Sequence, residues 1–329
     1  MSTRQFITRR SLVLTAPRRL EWIAEKLPTP GENEVLVRTR AGAISMGTEL
    51  PHYRGISRTS KPRPYPYMTG YESLGIVIER GAAVSELQMG QRVVSFYGHR
   101  SHAIIPEEKA LPVPDQITDR VALLAILSCD AAKGIHKVRP KAEEAVLVSG
   151  AGTMGLLTVF LLKELGIQYI DVIEPAEKRR EMARQFGARR TASSMEALPK
   201  DSYQVGIECS SRNAAFEALQ AMMAQGGQIC ILADGNIEPL TLIPAFHEKE
   251  LHIVGSSDGL DYRKHARWFF QRDPGRLQLL EQLFEHDVTA ENLSNIFEDL
   301  VRQTLTAIKV FVRYDPNQEK DILLQRESI

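Results

Sequence analysis

Residues 145–155 read A-V-L-V-S-G-A-G-T-M-G. The first part is a short continuous apolar run, the pattern of a strand buried on both faces as in a parallel sheet. The second part places three glycines in six residues, and the apolar, helix-forming segment LLTVFLLKELG follows directly. Glycine-rich turns also serve plain packing, but between a strand and a helix G-x-G-x-x-G is the fingerprint of a dinucleotide site. Gly150 permits the tight turn, Gly152 lets the backbone approach a pyrophosphate, and Gly155 lets the helix pack close to the strand. Thr153 and Met154 present free backbone N–H groups at the helix start, where an anion is favoured.

Beyond this motif, strand-like and helix-like runs alternate: YIDVIE, AEKRREMARQFG, YQVGIECS, NAAFEALQAMMAQGG, QICILAD and ELHIVGSS. That order predicts a doubly wound parallel α/β domain. Nineteen residues past Gly155, the strand YIDVIE ends in Glu174. A carboxylate there accepts hydrogen bonds from the adenosine ribose hydroxyls and repels a 2′-phosphate, which favours NAD. Lys178, Arg179 and Arg180 follow closely and keep NADP open, and a solvated strand-end acid is the plainer alternative. Ser256, just after the last strand of the series, is a further candidate cofactor contact.

Before the motif the texture differs. Residues 1–118 hold short β-type runs, SLVLTA, EVLVRTRAGAI, LGIVIERG, QRVVSFYG and HAIIPE, separated by turn residues. Their spacing predicts an antiparallel, barrel-like all-β unit. The α/β domain is placed at 119–262, led in by the helical stretch DRVALLAILSCDAAKGIHKV. Two helices around YRKHARWFFQ and RLQLLEQLFEHD and a strand in TLTAIKVFVRYD follow, and 263–329 is assigned as a return segment completing the first domain.

Composition bounds the partners. A chain of 329 residues with 43% hydrophobic content can fold two cores, and 41 basic residues balance 41 acidic ones. No charge excess points to nucleic acid or a membrane surface. No run of about 18 apolar residues and no signal-peptide core occurs, so a cytoplasmic location is expected. Cys129, Cys209 and Cys230 are too few and too scattered for a disulfide framework or a four-cysteine zinc site.

The stretches PGENEVLVRTRAGAISMGTE, GYES, MGQRVV, ALPVPDQI, AVLVSGAGTMG, IECSS, GGQICILADG and ELHIVGSSDG occur in an order and spacing that resembles the medium-chain dehydrogenase/reductase superfamily, the zinc alcohol dehydrogenase-like group. The resemblance implies a GroES-like β-rich catalytic domain plus a Rossmann domain, with nicotinamide bound between them. It also implies a small-molecule substrate and a homodimer formed through the ELHIVGS edge. The I-S-x-G-T-E turn combined with G-Y-E-S is most similar to the bacteriochlorophyllide a dehydrogenase subgroup.

Zinc members of that superfamily ligate the metal with a cysteine in a C-G-T-D-like turn, a histidine in a G-H-E-like segment and a residue in the helix before the Rossmann strand. Here the turn reads Met46-Gly47-Thr48-Glu49, the segment Gly70-Tyr71-Glu72, and the helix position falls on Ala125 or Ile126. A thioether is poorly suited to zinc, and an alkyl group cannot coordinate. The four-cysteine loop of a structural zinc is missing too, so no metal is expected.

Hydrogen-bond donors must then hold the substrate oxygen, or the substrate must be an activated alcohol or carbonyl. Two readings stand for Tyr71: a neutral phenol that binds the oxygen, tunable toward acid/base work by a nearby cation, or a ring filling the space of the metal with its hydroxyl on Glu72. Thr48 is either a proton relay or a turn threonine bonded to its own backbone. Lys133 falls where relatives carry threonine beside the nicotinamide, and either brings an ammonium to the substrate or is solvated. His99 and His102 read as surface-loop histidines, and Cys129 as a buried helix residue.

Three functions fit. The first is a zinc-independent, NAD(H)-linked oxidoreductase acting on an alcohol or carbonyl. The second is an NADPH-dependent quinone or enoyl reductase. The third is a nucleotide-binding protein without catalysis.

Overall fold

The computed structural model describes residues 7–57, 63–233 and 238–315. The last residue of the GGQICILADG stretch and the one before it lie outside these. The described residues form two units: 7–55, 63–124 and 282–315 make the first, and 56–57, 125–233 and 238–281 the second.

In chain order the first unit begins with β1 (Thr8–Ala16), β2 (Arg19–Lys26), β3 (Glu34–Ile44), α1 (Met46–Tyr53), β4 (Tyr67–Met68), β5 (Glu72–Arg80), β6 (Arg92–Ser95), β7 (His102–Pro106), β8 (Leu111–Pro112) and α2 (Asp119–Leu123). The second unit holds α3 (Ala125–Val138), β9 (Ala145–Ser149), α4 (Thr153–Glu164), β10 (Tyr169–Ile173), α5 (Glu177–Phe186), β11 (Arg190–Ala192), β12 (Tyr203–Glu208), α6 (Asn213–Met222), β13 (Met223–Ile231), α7 (Pro244–Glu248), β14 (His252–Gly255), α8 (Tyr262–Phe269) and α9 (Pro274–Leu279). The chain then returns to the first unit with β15 (Phe284–Thr289), α10 (Leu293–Arg302) and β16 (Lys309–Arg313).

The first unit is built around β3. Its first half pairs with β7 and its second half with β16 along one side, while β5 runs along the other. The change of partner coincides with a register shift at Thr39–Ala41. Such an irregularity bends and twists a strand, which is what closing a sheet upon itself requires. Alternation places Val35 and Val37 in a core with Val77, Val93, Ala103 and Ile105. A second core collects Leu12, Leu14, Ile44, Val310 and Val312 beneath Phe297 of α10. All ladders of this sheet are antiparallel except β15–β16, which is parallel and is connected through α10.

In the second unit six strands run in the order β11-β10-β9-β12-β13-β14, every neighbouring pair parallel. The order reverses between β9 and β12, the arrangement of a doubly wound sheet. Val146, Leu147 and Val148 are fully buried, as a strand covered on both faces demands.

The division differs from the sequence-based boundaries in two places: residues 119–124, with α2, fall in the first unit, and the helices after residue 262 stay with the second. The Ser128 hydroxyl meets His265 Nε2 at 2.8 Å, Phe269 packs edge-on against Phe160 at 6.3 Å, and Arg276 pairs with Glu164 at 2.9 Å. These contacts tie α8 and α9 to α3 and α4, so the return to the first unit starts at 282. An amphipathic helix shows in sequence that it covers a core, but not which one.

Candidate active site

The Rossmann turn is shaped by its glycines. Gly150 has φ +88°, in the left-handed region that favours glycine, and its N–H donates to the Ile173 carbonyl at 2.8 Å. A Cβ on Gly155 would lie 1.9 Å from the Gly150 carbonyl oxygen, so any side chain there would push α4 off the strand. A Cβ on Gly152 would meet nothing within 4 Å. Gly152 is also the N-cap of α4, with no side-chain cap. An anionic pyrophosphate fits that cradle. Thr153 and Met154 are half-exposed beside it.

Glu174 is 7% exposed, and its two oxygens accept from the Ala151 and Ala176 amides at 2.8 and 3.0 Å. It therefore braces the glycine turn against the start of α5, and each oxygen keeps a second lone pair for a ribose hydroxyl. Arg180 donates to the Glu174 and Pro175 carbonyls and pairs with Glu177, so this guanidinium is spent on its own loop. Ser256 hangs from β13 through its backbone, N to the Ile231 carbonyl at 2.9 Å. Lys133 Nζ donates to the Ser257 carbonyl at 2.7 Å.

The second cluster lies in the first unit, where α1 begins and β5 starts. The Tyr71 hydroxyl donates to Ser45 Oγ at 2.7 Å. Its partner is thus Ser45, not the adjacent Glu72 that the space-filling reading assigned to it. Burial pushes the phenol well above its ordinary value, the Glu72 and Glu49 charges push it further, and the Ser45 and Thr48 hydroxyls oppose them. The charges acting on it are those of two acids, Glu72 and Glu49, which favour the protonated phenol. At neutral pH Tyr71 is a protonated hydrogen-bonding group, with the half-buried Thr48 beside it.

Glu72 is instead held by Lys309. Its carboxylate meets the ammonium at 2.5 Å, with both side chains fully buried. Glu49, 6% exposed, bridges the cluster: one oxygen accepts the Ser45 amide at 2.8 Å and the other meets His99 Nε2 at 3.0 Å. His99 is 2% exposed and His102 7% exposed, so neither is the surface histidine the sequence suggested. Burial pushes His102 down to about 4, which keeps its ring neutral beside Ser101. The positive φ of Gly70, +73°, seats this arrangement, since a Cβ there would lie 2.7 Å from the His99 ring.

Zinc does not suit the donors at this corner. Met46 packs against the core below α10, Tyr71 stays protonated, and Glu49, Glu72 and His99 are paired to one another or to Lys309. Ala125 and Ile126 are fully buried apolar residues at the start of α3. Among the described residues no three His, Cys, Asp or Glu side chains gather into a metal-holding group. Cys129 is a buried thiol raised by burial to about 11, too weakly ionised to act as a nucleophile.

Three members of the cluster are not assigned to the site by the sequence: Ser45 and Lys309 are not singled out, and His99 reads as a surface-loop histidine. Ser45 sits immediately before the M-G-T-E turn, where an N-cap serine is legible. The roles of His99 and Lys309 had no local signal: they meet partners 50 and 237 residues away.

Two family models match the chain: the alcohol dehydrogenase GroES-like domain at residues 31–115 and the zinc-binding dehydrogenase at residues 153–271. The chain belongs to the medium-chain dehydrogenase/reductase superfamily. It is accordingly an NAD(P)-linked oxidoreductase by family. An L-threonine 3-dehydrogenase from Deinococcus radiodurans is 26% identical over 253 residues, 64% of this chain and 72% of that one. Solved structures share the fold. A zinc-binding dehydrogenase from Sinorhizobium meliloti 1021, bound to NADP, superposes with TM-score 0.80 at 19% identity, over 93% of this chain and 99% of the other. A short chain alcohol dehydrogenase from Escherichia coli CFT073, complexed with NADH, gives 0.78 at 20% identity, over 93% and 99%. Among the described residues no helix is long and apolar enough to cross a membrane.

Proposed function

We propose that this chain is a zinc-independent, NAD(H)-linked dehydrogenase/reductase that interconverts an alcohol and a carbonyl on a small, activated substrate. The observation that carries this is the occupancy of the metal corner by the chain's own pairs: Tyr71 with Ser45, Glu49 with His99 and Glu72 with Lys309. NAD(H), when bound, takes up or supplies the hydride. The glycine turn and the first amides of α4 hold its pyrophosphate, and Glu174 favours an unphosphorylated ribose.

Tyr71 keeps its proton, so its part is to hold the substrate oxygen: its lone pair accepts from an alcohol, and its O–H, turned from Ser45, donates to a carbonyl. Thr48 is the hydroxyl through which the alcohol proton passes. Without a Lewis acid, which is worth several kcal/mol, these donors are sufficient only for an allylic, benzylic-like or conjugated centre. The exposed edge of β14 is the surface we assign to a homodimer.

Metal analysis of the purified protein tests the first element: substoichiometric zinc is expected, and one tightly bound zinc per chain refutes it. Tyr71→Phe is expected to lower kcat on an active alcohol at least tenfold, about one hydrogen bond's worth, with NADH affinity unchanged. Unchanged turnover removes Tyr71 from the mechanism.

A further inference from the structure

Asp130, Lys133 and Lys137 recur at helical spacing on one face of α3, and all three end on the segment 255–262 that follows the edge strand β14. Lys137 Nζ donates to the Gly255 carbonyl, and Lys133 Nζ to the Ser257 carbonyl at 2.7 Å. Asp130 accepts from the Tyr262 hydroxyl at 2.7 Å, and that hydroxyl accepts the Gly259 amide at 2.6 Å. Gly259 is pressed into the same face: a Cβ there would fall 2.4 Å from Cys129 Sγ and 2.9 Å from the Tyr262 ring. Ordering two lysines costs up to about 2 kcal/mol each in side-chain freedom, so two of them held on carbonyls two residues apart are a substantial investment in the shape of this loop.

The place of this loop gives the investment a purpose. All six strands are parallel, so 255–259 leaves the carboxyl end of β14 on the same end of the sheet as the glycine turn leaves β9. Ligands of open α/β sheets bind outside the carboxyl ends, across the point where strand order reverses, here between β9 and β12. The β9–β11 side carries the glycine turn and Glu174 and takes the adenosine half. The β12–β14 side is left for the other nucleotide.

We propose that Lys133, Asp130 and Tyr262 are positioning residues that hold 255–259 as the wall for the nicotinamide half of the cofactor. This rests on the dinucleotide function proposed above. Lys133 then acts through Ser257 and does not present its ammonium to the substrate.

NADH and ADP-ribose, which lacks the nicotinamide, separate the two halves. Affinities of both for the full chain are measured by calorimetry in wild type, Lys133→Met and Tyr262→Phe. Each variant is expected to weaken NADH about tenfold, the value of one hydrogen bond to a charged group, while ADP-ribose stays within about twofold. Unchanged NADH affinity in both variants, or equal loss of both ligands, overturns the positioning role while leaving the dinucleotide function standing. A wild-type protein that binds neither ligand sinks both.

Discussion

Lys309→Met should unfold the first unit's core more than any surface change, and its size follows from burial. The Lys309–Glu72 contact of 2.5 Å is fully shielded from water. At an effective dielectric near 20, two unit charges at that separation attract by about 6 to 7 kcal/mol, against a desolvation cost of several kcal/mol per ion. The pair therefore comes close to breaking even when both members are present, and its absence on one side is what costs. Removing the ammonium leaves a carboxylate in a dry site, for a loss of about 3–5 kcal/mol. The double variant Glu72→Gln/Lys309→Met has no charge to strand and should recover at least about 2 kcal/mol. The two tryptophans, Trp22 and Trp268, fall one in each unit. In a Trp268→Phe background, Trp22 fluorescence during urea unfolding thus reports on the unit that contains the pair. A single variant costing under about 1 kcal/mol, or a double variant no better than Lys309→Met, would refute a buried, mutually dependent pair.

Glycine substitutions should separate fold from binding. Gly155→Ala, with its Cβ 1.9 Å from a backbone oxygen, should destabilise the second unit by several kcal/mol in thermal unfolding; Gly152→Ala, facing open space, should leave Tm nearly unchanged yet weaken NADH at least about tenfold, because the methyl takes the pyrophosphate's room. Burial, opposed by the Tyr262 hydroxyl and reinforced by the Asp258 charge, raises the Asp130 carboxyl from 3.8 to about 6. A raised carboxyl holds more protons folded than unfolded between those values, so its stabilising contribution is complete below about 3.8 and lost as pH rises through about 6. Urea unfolding of wild type relative to Asp130→Asn should therefore fall by up to about 3 kcal/mol across that window, and parallel curves would contradict it. Light scattering should give twice the chain mass, and a monomer would exclude the β14 dimer.

The sequence by itself determined the things that depend on neighbours along the chain. The strand-glycine-helix order at 145–164, the acid at the end of β10 and the alternation of β3 are local, because backbone conformation and burial period are set within a few residues. The departures at Met46 and Tyr71 were legible for the same reason, as single side chains in recognisable short segments.

What only the tertiary structure decided are the partners. One of the two readings of Tyr71 put its hydroxyl on Glu72, its chain neighbour, but Tyr71 lies just before β5, its phenol donates to Ser45, and Glu72 pairs with Lys309. Lys309 and His99 were invisible as site residues because their carboxylate partners reach them only through sheet pairing and packing. Lys133, read from the sequence either as an ammonium at the substrate or as a solvated side chain, donates to the Ser257 carbonyl; a helix register does not say where a long flexible side chain finds its acceptor. Hydrogen bonds and charges act through space over a few ångströms, and at this corner the groups that lie within that range come from α1, β5, the turn before β7 and β16.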